Sequence, residues 1–125
     1  MNKRVFGRKL SRNTQSRKAL FRTLIRALTE HGEINTTLAK AKAISGEVDK
    51  LMTLVAKNTV STRRLVLAKL ANDKVTTAKL FESYIEFTKT RKSGFTRIIK
   101  LPVRKGDAAQ IARIEWVDKL KESKK

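Results

Sequence analysis

The sequence contains no cysteine, one histidine, one proline and no long apolar run. Without cysteine the chain forms no disulfide and no thiolate metal site, and a single histidine excludes a histidine-rich metal centre. No apolar stretch approaches the roughly 20 residues that a membrane-spanning helix requires. The fold must therefore be stabilised by an ordinary apolar core.

Acidic residues are also scarce. The 125 residues include 30 Lys and Arg against 11 Asp and Glu, a formal net charge of +19. The length suits one domain, and a hydrophobic content of 40% is too high for a fully disordered basic tail. Because so much like charge repels itself, the composition indicates a polyanionic partner.

The excess charge lies at the two ends of the chain. Residues 1–29 contain nine basic and no acidic residues, residues 30–88 nine and seven, and residues 89–125 twelve and four. The three segments therefore carry +9, +2 and +8. This distribution predicts a polyanion-binding surface formed by both ends around a nearly neutral middle.

The first segment is predicted to contain an arm and a helix. Residues 1–12 are too irregular for a regular element and indicate a basic extended arm. A helix follows from the N-cap candidates Asn13 and Thr14 to about His31, and Gly32 suits its left-handed C-cap. Its like charges at helical spacing, which favour a phosphate-facing ridge, are Lys18, Arg22 and Arg26. An acid-free, Arg-rich segment is also typical of a mitochondrial transit peptide.

The middle segment predicts a short strand and three helices. The strand covers residues 33–37, and Thr36 or Thr37 then caps a second helix. The expected core positions of this helix are Leu38, Ala41, Ile44, Val48, Leu51, Met52 and Val55. A third helix over residues 60–71 is opened by Ser61 or Thr62, and its apolar positions are Leu65, Val66, Leu67 and Leu70.

Asp73 is predicted to cap a fourth helix over residues 74–88. Its expected apolar stripe is Val75, Ala78, Phe81 and Ile85, widened by Leu80, Tyr84 and Phe87. Residues 95–101 and 110–117 alternate imperfectly and flank a loop with Pro102 and Gly106, which predicts a β-hairpin. On its first strand, Phe95, Ile99 and Leu101 are expected on one side.

This order, α-β-α-α-α-β-β, predicts an α+β fold, a two-layer α/β domain with a small sheet and a basic extended N-terminal arm. The domain is expected to cover residues 13–118, and residues 119–125 to form a frayed basic tail.

No catalytic constellation can be assembled from the sequence. His31 is the only histidine, and the sequence offers no serine and aspartate set that would complete a catalytic triad with it. Its position next to Gly32 suits a favourable interaction with the C-terminal end of a helix dipole. Phosphate-binding glycine loops and paired carboxylates are missing as well. We therefore expect no enzyme, no cofactor, no metal and no small-molecule substrate.

Nucleic acid is the favoured polyanion. The amphipathic faces are needed for the core, which argues against a membrane-surface protein. Zinc spacings, basic zippers, aromatic ribonucleoprotein motifs and GxxG loops are all missing, and Tyr84 and Trp116 are expected to complete the core. The contacts should therefore be mainly to phosphates. An architectural DNA-binding protein is the main alternative, followed by a polyanion-surface adaptor and an RNA-modifying enzyme.

Several segments, in order and spacing over about residues 3–118, make the chain similar to a known family. They are GRKLSR (7–12), SRKALFR (16–22), EHGEINTTLAKAK (30–42), KLMTLVAK (50–57), KLFE (79–82), GFTRIIKL (94–101) and RKGDAAQIARIEWV (104–117). The sequence thereby resembles the bacterial large-subunit ribosomal protein seventeen family. The resemblance implies a two-layer α/β fold, contact with large-subunit ribosomal RNA, neighbouring ribosomal proteins near the tunnel exit, and a cytoplasmic, ribosomal location.

The expected function is a structural constituent of the large ribosomal subunit that supports assembly and translation. The residues predicted to contact RNA in the arm and first helix are Lys3, Arg4, Arg8, Lys9, Arg12, Arg17, Lys18, Arg22 and Arg26. Those predicted farther along the chain are Arg63, Arg64, Lys92, Arg97, Arg104 and Lys105.

Overall fold

Residues 8–120 are described by the computed structural model. Their elements follow the predicted order, with helices α1 (Thr14–His31), α2 (Leu38–Lys57), α3 (Val60–Lys69), α4 (Lys74–Lys79) and α5 (Ile85–Thr90), and strands β1 (Glu33–Thr37), β2 (Thr96–Leu101) and β3 (Ile111–Trp116). The α+β class is confirmed. The predicted contacts Lys3 and Arg4, and residues 121–125 of the predicted tail, lie outside the described residues.

Helix α1 begins and ends at the predicted caps. The Asn13 Oδ1 atom accepts a hydrogen bond from the Ser16 backbone N–H at 2.8 Å. Gly32 has a φ of 82°, and its N–H donates to the Leu28 carbonyl at 2.8 Å. The left-handed backbone conformation causes little steric strain at this position, because glycine has no Cβ. The next residue can therefore start β1 directly.

Helix α2 forms the centre of the core. Thr37 is its N-cap, and its buried residues are Ala41, Ile44, Val48, Leu51, Met52 and Val55, as predicted. Leu38 is partly buried against the same cluster. All three strands and helices α1, α3 and α5 contact α2. It therefore joins the helical layer to the sheet.

Helix α3 starts at residue 60 as predicted, but the predicted capping residue is wrong. Its N-cap is Thr59, not Ser61 or Thr62, and the helix ends at Lys69. Thr62 instead supplies the reciprocal bond, since its hydroxyl oxygen accepts from the Thr59 N–H at 2.9 Å. Such a pair satisfies two helix-terminal donors at once. Leu65, predicted as a core residue, keeps 50% of its surface exposed.

The fourth predicted helix consists of α4, a π-helical turn (Leu80–Tyr84) and α5. Asp73 is its N-cap as predicted, and its carboxylate accepts from the Thr76 hydroxyl at 2.7 Å. This cap turns Thr76 and Thr77 into the core, so Val75 is 79% exposed and Ala78 also faces outward, against the prediction. The wider turn at 80–84 then changes the helical period. The buried apolar residues are Leu80, Phe81 and Tyr84 in this turn and Phe87 in α5.

The sheet is antiparallel with the order β1-β3-β2, which confirms the hairpin. One face packs on the helices, where Ile34 and Ile98 flank the buried Ile114 in register. On the other face Asn35, Arg113 and Ile99 form one row. The prediction that Phe95 and Ile99 lie on one side of the strand is wrong. Phe95 precedes β2 and is buried, because its N–H donates to the Asp49 carboxylate on α2 at 3.2 Å.

Aromatic side chains complete the core beside the end of α1. Tyr84, Phe87 and Trp116 form a cluster with ring centroids 4.7–5.6 Å apart. The Tyr84 hydroxyl donates to the Thr29 carbonyl at 2.7 Å, and the Trp116 indole N–H donates to the Leu28 carbonyl at 3.3 Å. Burial raises the pKa of Tyr84. The structural role predicted for Tyr84 and Trp116 is confirmed.

Candidate nucleic-acid interface

The described part of the arm folds into a turn next to α1. Leu10 and Ser11 both have positive φ, 52° and 53°, and the Arg12 N–H donates to the Lys9 carbonyl at 3.1 Å. The half-buried Arg17 donates from Nη1 to the Arg12 carbonyl at 3.1 Å and to the Lys9 carbonyl at 3.5 Å. Arg17 thus braces the turn that carries the exposed Lys9 and Arg12.

Two members of the predicted ridge on α1 also bind other elements of the protein. The Arg22 Nε donates to the Lys69 carbonyl at the end of α3 at 3.0 Å. Arg26 lies 3.7 Å from the Asp73 carboxylate. The hydrogen bond from Thr76 is the main cause of the lowered pKa of Asp73, and the charge of Arg26 contributes. The ridge therefore fixes α1 to the chain segment that follows α3.

Arg63 and Arg64 lie side by side in the first turns of α3 but have different surroundings. Arg63 donates to the Asn58 side-chain oxygen at 3.2 and 3.4 Å, and its guanidinium lies 5.0 Å from the Phe81 ring centroid. This packing accounts for a cation at an unfavourable end of the helix dipole. Arg64 is exposed and, within residues 8–120, makes no ion pair.

In the predicted second patch, the arginines are paired and the lysines are not. The Arg97 Nε lies 2.5 Å from the Glu115 carboxylate across the β2–β3 pair, and this bond lowers the pKa of Glu115. Arg104 forms two hydrogen bonds with Asp107, at 2.6 and 3.1 Å, which lower the pKa of Asp107 to about 2. The exposed lysines of this patch are Lys92 and Lys105.

The arm and the hairpin loop meet at the N-terminal end of α2. Arg8 and Lys42 line a depression of about 290 Å³ together with the first residues of α2 and the loop residues Ala109 and Gln110. The arm therefore adjoins the end of the hairpin loop there, at loop residues that carry no charge. Lys42 was not among the predicted site residues. In the local sequence it is one lysine on an amphipathic helix, and nothing there marks it as a site residue.

Lys69 is a second cation that the sequence analysis missed. It lines one groove with Lys18 and Arg22, although 47 residues separate Arg22 from Lys69. The one local signal was its position in the last turn of a helix, where a cation stabilises the dipole. Its proximity to α1 depends on the packing of α3.

In six exposed cations of the predicted set, the charged side-chain group makes no hydrogen bond or ion pair with any residue from 8 to 120. We term them the unpaired cations, and they are Arg8, Lys9, Lys18, Arg64, Lys92 and Lys105. They are available to external anions without breaking a bond within the described protein. Lys42 and Lys69 share this property.

Acidic side chains gather at the other end of the sheet. Two adjoining depressions, which share Phe87, Asp118, Lys119 and Leu120, are lined by six carboxylates, Glu30, Glu33, Glu82, Glu86, Glu115 and Asp118, and by four cations, Lys79, Lys89, Arg97 and Lys119. Carboxylates therefore outnumber cations in this lining, in contrast to the basic loop end. Glu33 pairs with Glu115 at this end of the β1–β3 register, whereas Thr37 and Ile111 lie next to the basic loop. The charge of the protein is therefore polarised along the sheet.

The described residues hold no cluster of three or more side chains that could bind a metal ion. None of the helices within residues 8–120 is long and apolar enough to cross a bilayer.

Comparison with known proteins identifies the family. A sequence model described as Ribosomal protein L17 matches residues 20–117. A Persephonella marina protein named large ribosomal subunit protein bL17 is 46% identical over 119 residues, covering 94% of this chain and 96% of that protein. Proteins of the same name from Zymomonas mobilis and Chloroflexus aurantiacus are 46% and 44% identical, covering 95% and 94% of this chain and 84% and 100% of their own lengths.

The chain is therefore a structural protein of the ribosome and not an enzyme. More particularly, it belongs to the ribosomal protein L17 family, a family of the large subunit. This membership confirms the resemblance found in the sequence and the ribosomal location expected from it.

Proposed function

We propose that this chain binds large-subunit ribosomal RNA mainly through phosphate contacts made by the arm, α1 and the hairpin loop. The observation that carries the proposal is the meeting of Arg8 with the hairpin loop at the start of α2. The basic arm thereby adjoins the loop that also carries Arg104 and Lys105. A phosphate backbone can follow such a surface without a base-specific motif.

The unpaired cations support contacts to phosphates. Binding a phosphate breaks no ion pair of these side chains within the described protein. Most of their attraction to phosphate is therefore retained as binding free energy. Base stacking is limited, because five of the six aromatic side chains within residues 8–120 are buried, namely Phe81, Tyr84, Phe87, Phe95 and Trp116, and only Phe21 is partly exposed. Electrostatic contact should therefore contribute more than stacking.

The paired arginines are proposed to act in two ways. A guanidinium carries five N–H donors, and Arg22 uses one of them on the Lys69 carbonyl. The remaining donors can still bind a phosphate while the side chain is held in position. Arg97 and Arg104 already face carboxylates, so their net attraction for phosphate is smaller.

The acidic end is proposed to face neighbouring large-subunit proteins rather than RNA. Carboxylates repel phosphates, so a protein surface is the more favourable neighbour for Glu33 and Glu115. We place those neighbours near the tunnel exit and infer that the protein supports assembly and translation by joining RNA to protein there. Cross-linking of Glu33 and Glu115 carboxylates in purified large subunits should capture ribosomal proteins.

The salt dependence of RNA binding tests the phosphate mechanism. Each lost phosphate contact should reduce the slope of log affinity against log salt by roughly 0.7–0.9. Deleting residues 1–12 from the full chain should lower both the affinity for large-subunit ribosomal RNA and this slope, measured by filter binding. If both stay unchanged, the arm does not contact the RNA.

The DNA alternative is separated by competition in the same assay. If the protein recognises folded ribosomal RNA and not charge alone, duplex DNA of equal charge should displace the RNA only at much higher concentration. Equal competition would favour an architectural DNA-binding protein.

A further inference from the structure

Helices α1, α2 and α3 enclose an apolar groove with a volume of about 460 Å³. Buried side chains of Ile25, Leu51 and Leu70 line it, together with the half-buried Phe21. Leu65 lines it as well and keeps 50% of its surface exposed. A leucine on a short surface helix gains little from this position within the described protein. The groove therefore offers apolar area to an external group.

Three cations and one carboxylate surround this apolar lining. Lys18 and Lys69 are exposed and form no ion pair within residues 8–120. Arg22 holds the end of α3 against α1 through its 3.0 Å bond to the Lys69 carbonyl. The one acid, Glu47, accepts a hydrogen bond from Lys50 at 3.4 Å. The net positive rim selects an occupant that combines an apolar surface with negative charge.

We propose that the groove takes one unstacked nucleobase of an RNA strand, while the adjoining phosphates bind Lys18 and Lys69. This proposal rests on the RNA binding proposed above and adds a base-accepting site to it. A base presents a flat apolar face that can pack on Phe21 and Leu65, and its strand carries a charge at each nucleotide. The Glu47 carboxylate is placed to accept from an exocyclic amino group.

The size of the groove favours a base over a protein helix. Its volume lies in the range of small-ligand sites, about 300–1,000 Å³. An amphipathic helix would instead need a longer apolar channel for anchors at positions i, i+4 and i+7. A single planar group with charge on one side fits both the dimensions and the rim.

The test compares two RNA strands of equal charge. A fluorescein-labelled oligoadenylate and the same strand with abasic ribose at every position are titrated with the full chain, and anisotropy gives both affinities. We expect the oligoadenylate to bind about fivefold more tightly or better, the contribution of one stacked base. The salt slopes should be equal, because the phosphates are the same.

Three variants separate the groove from general charge. Leu65→Ala should weaken oligoadenylate binding about fivefold and leave the abasic strand unchanged. Leu65→Lys adds a cation, so it should strengthen the abasic strand but weaken oligoadenylate, since the base loses its contact. Val60→Ala is the matched control, because Val60 is 67% exposed on the same helix and does not line the groove. It should behave like the wild type.

Each contrary outcome points to a distinct failure. Equal affinities of the wild type for both strands would overturn the base site while leaving phosphate binding intact. Binding of neither strand would instead overturn the proposed RNA binding itself. A photocrosslinking amino acid at position 65 should label ribosomal RNA in assembled large subunits. Labelling of a ribosomal protein alone would show that the groove is a protein contact and overturn the proposal.

Discussion

Individual arginines on the basic surface also hold the protein together. Arg17 binds two carbonyls of the arm turn, Arg22 binds the last residue of α3, and Arg63 binds Asn58 and stacks on Phe81. Arg63 uses two nitrogens of its planar guanidinium on one Asn58 oxygen, a forked bond that an ammonium group cannot form. These arginines were predicted from the sequence as phosphate ligands. The sequence shows their charge but not which carbonyl or side chain of the folded protein each one meets.

Arg17→Lys tests this bracing at constant charge. The lysine side chain ends one bond short of the Nη1 atom that donates to both carbonyls, so the turn that presents Lys9 and Arg12 should lose its fixed geometry. We expect the affinity for large-subunit ribosomal RNA to fall severalfold while the salt slope changes little. The exchange Lys74→Arg, at an exposed lysine outside the proposed RNA surface, serves as the control and should not weaken binding. An affinity unchanged by Arg17→Lys would contradict a bracing role.

At the scale of elements, short-range chemistry determines where helices start and end. Asn13, Thr37 and Asp73 are caps that the sequence predicted, since each bonds an N–H only three residues away. The π-helical turn at Leu80–Tyr84 was not predicted. Its position follows from the packing of Tyr84 and Phe87 on Trp116, a residue far along the chain.

Removal of the Asp73 cap should destabilise the fold. Asp73→Ala deletes the acceptor for the Thr76 backbone and hydroxyl donors and should cost about 0.5–2 kcal/mol in the free energy of unfolding. Urea denaturation at neutral pH measures this loss. The exchange Lys74→Ala, at the adjacent exposed position, should leave the free energy of unfolding nearly unchanged.

The Asp73 contribution should also depend on pH. Its pKa is lowered from 3.8 in the folded protein, so the carboxylate stabilises the fold fully above that value. As the pH falls through the lowered folded pKa, the contribution is lost. The difference between wild type and Asp73→Ala should therefore shrink in acid. A difference that grows with acidity would contradict the assignment.

On the scale of the whole molecule, charge is distributed along the sheet. The loop end carries Arg8 and Lys42, and the opposite end carries paired Glu33 and Glu115. A total of +19 on one domain makes the folded state repel itself wherever the charges are not compensated. Binding to a polyanion at the basic end removes this repulsion without affecting the acidic end.

Thermal stability should therefore rise with ionic strength. Screening shortens the range of repulsion from roughly 30 Å at 0.01 M salt to about 8 Å at 0.15 M. We expect the Tm of the free protein, followed by circular dichroism, to increase over this range of KCl. Sucrose at matched osmolality should not reproduce the salt dependence, and a Tm that falls with KCl would show that attractive pairs dominate.

The sequence by itself determined the order of the elements, three helix N-caps and the Gly32 C-cap, the segregation of charge to the chain ends and the family. Each depends on residues close together in the chain or on the chain as a whole. Only the tertiary structure decided which cations have internal partners and which meet. The β2–β3 register sets Arg97 against Glu115, and the packing of α3 on α1 places Lys69 beside Lys18. Such neighbours depend on contacts between distant segments, which no local pattern records.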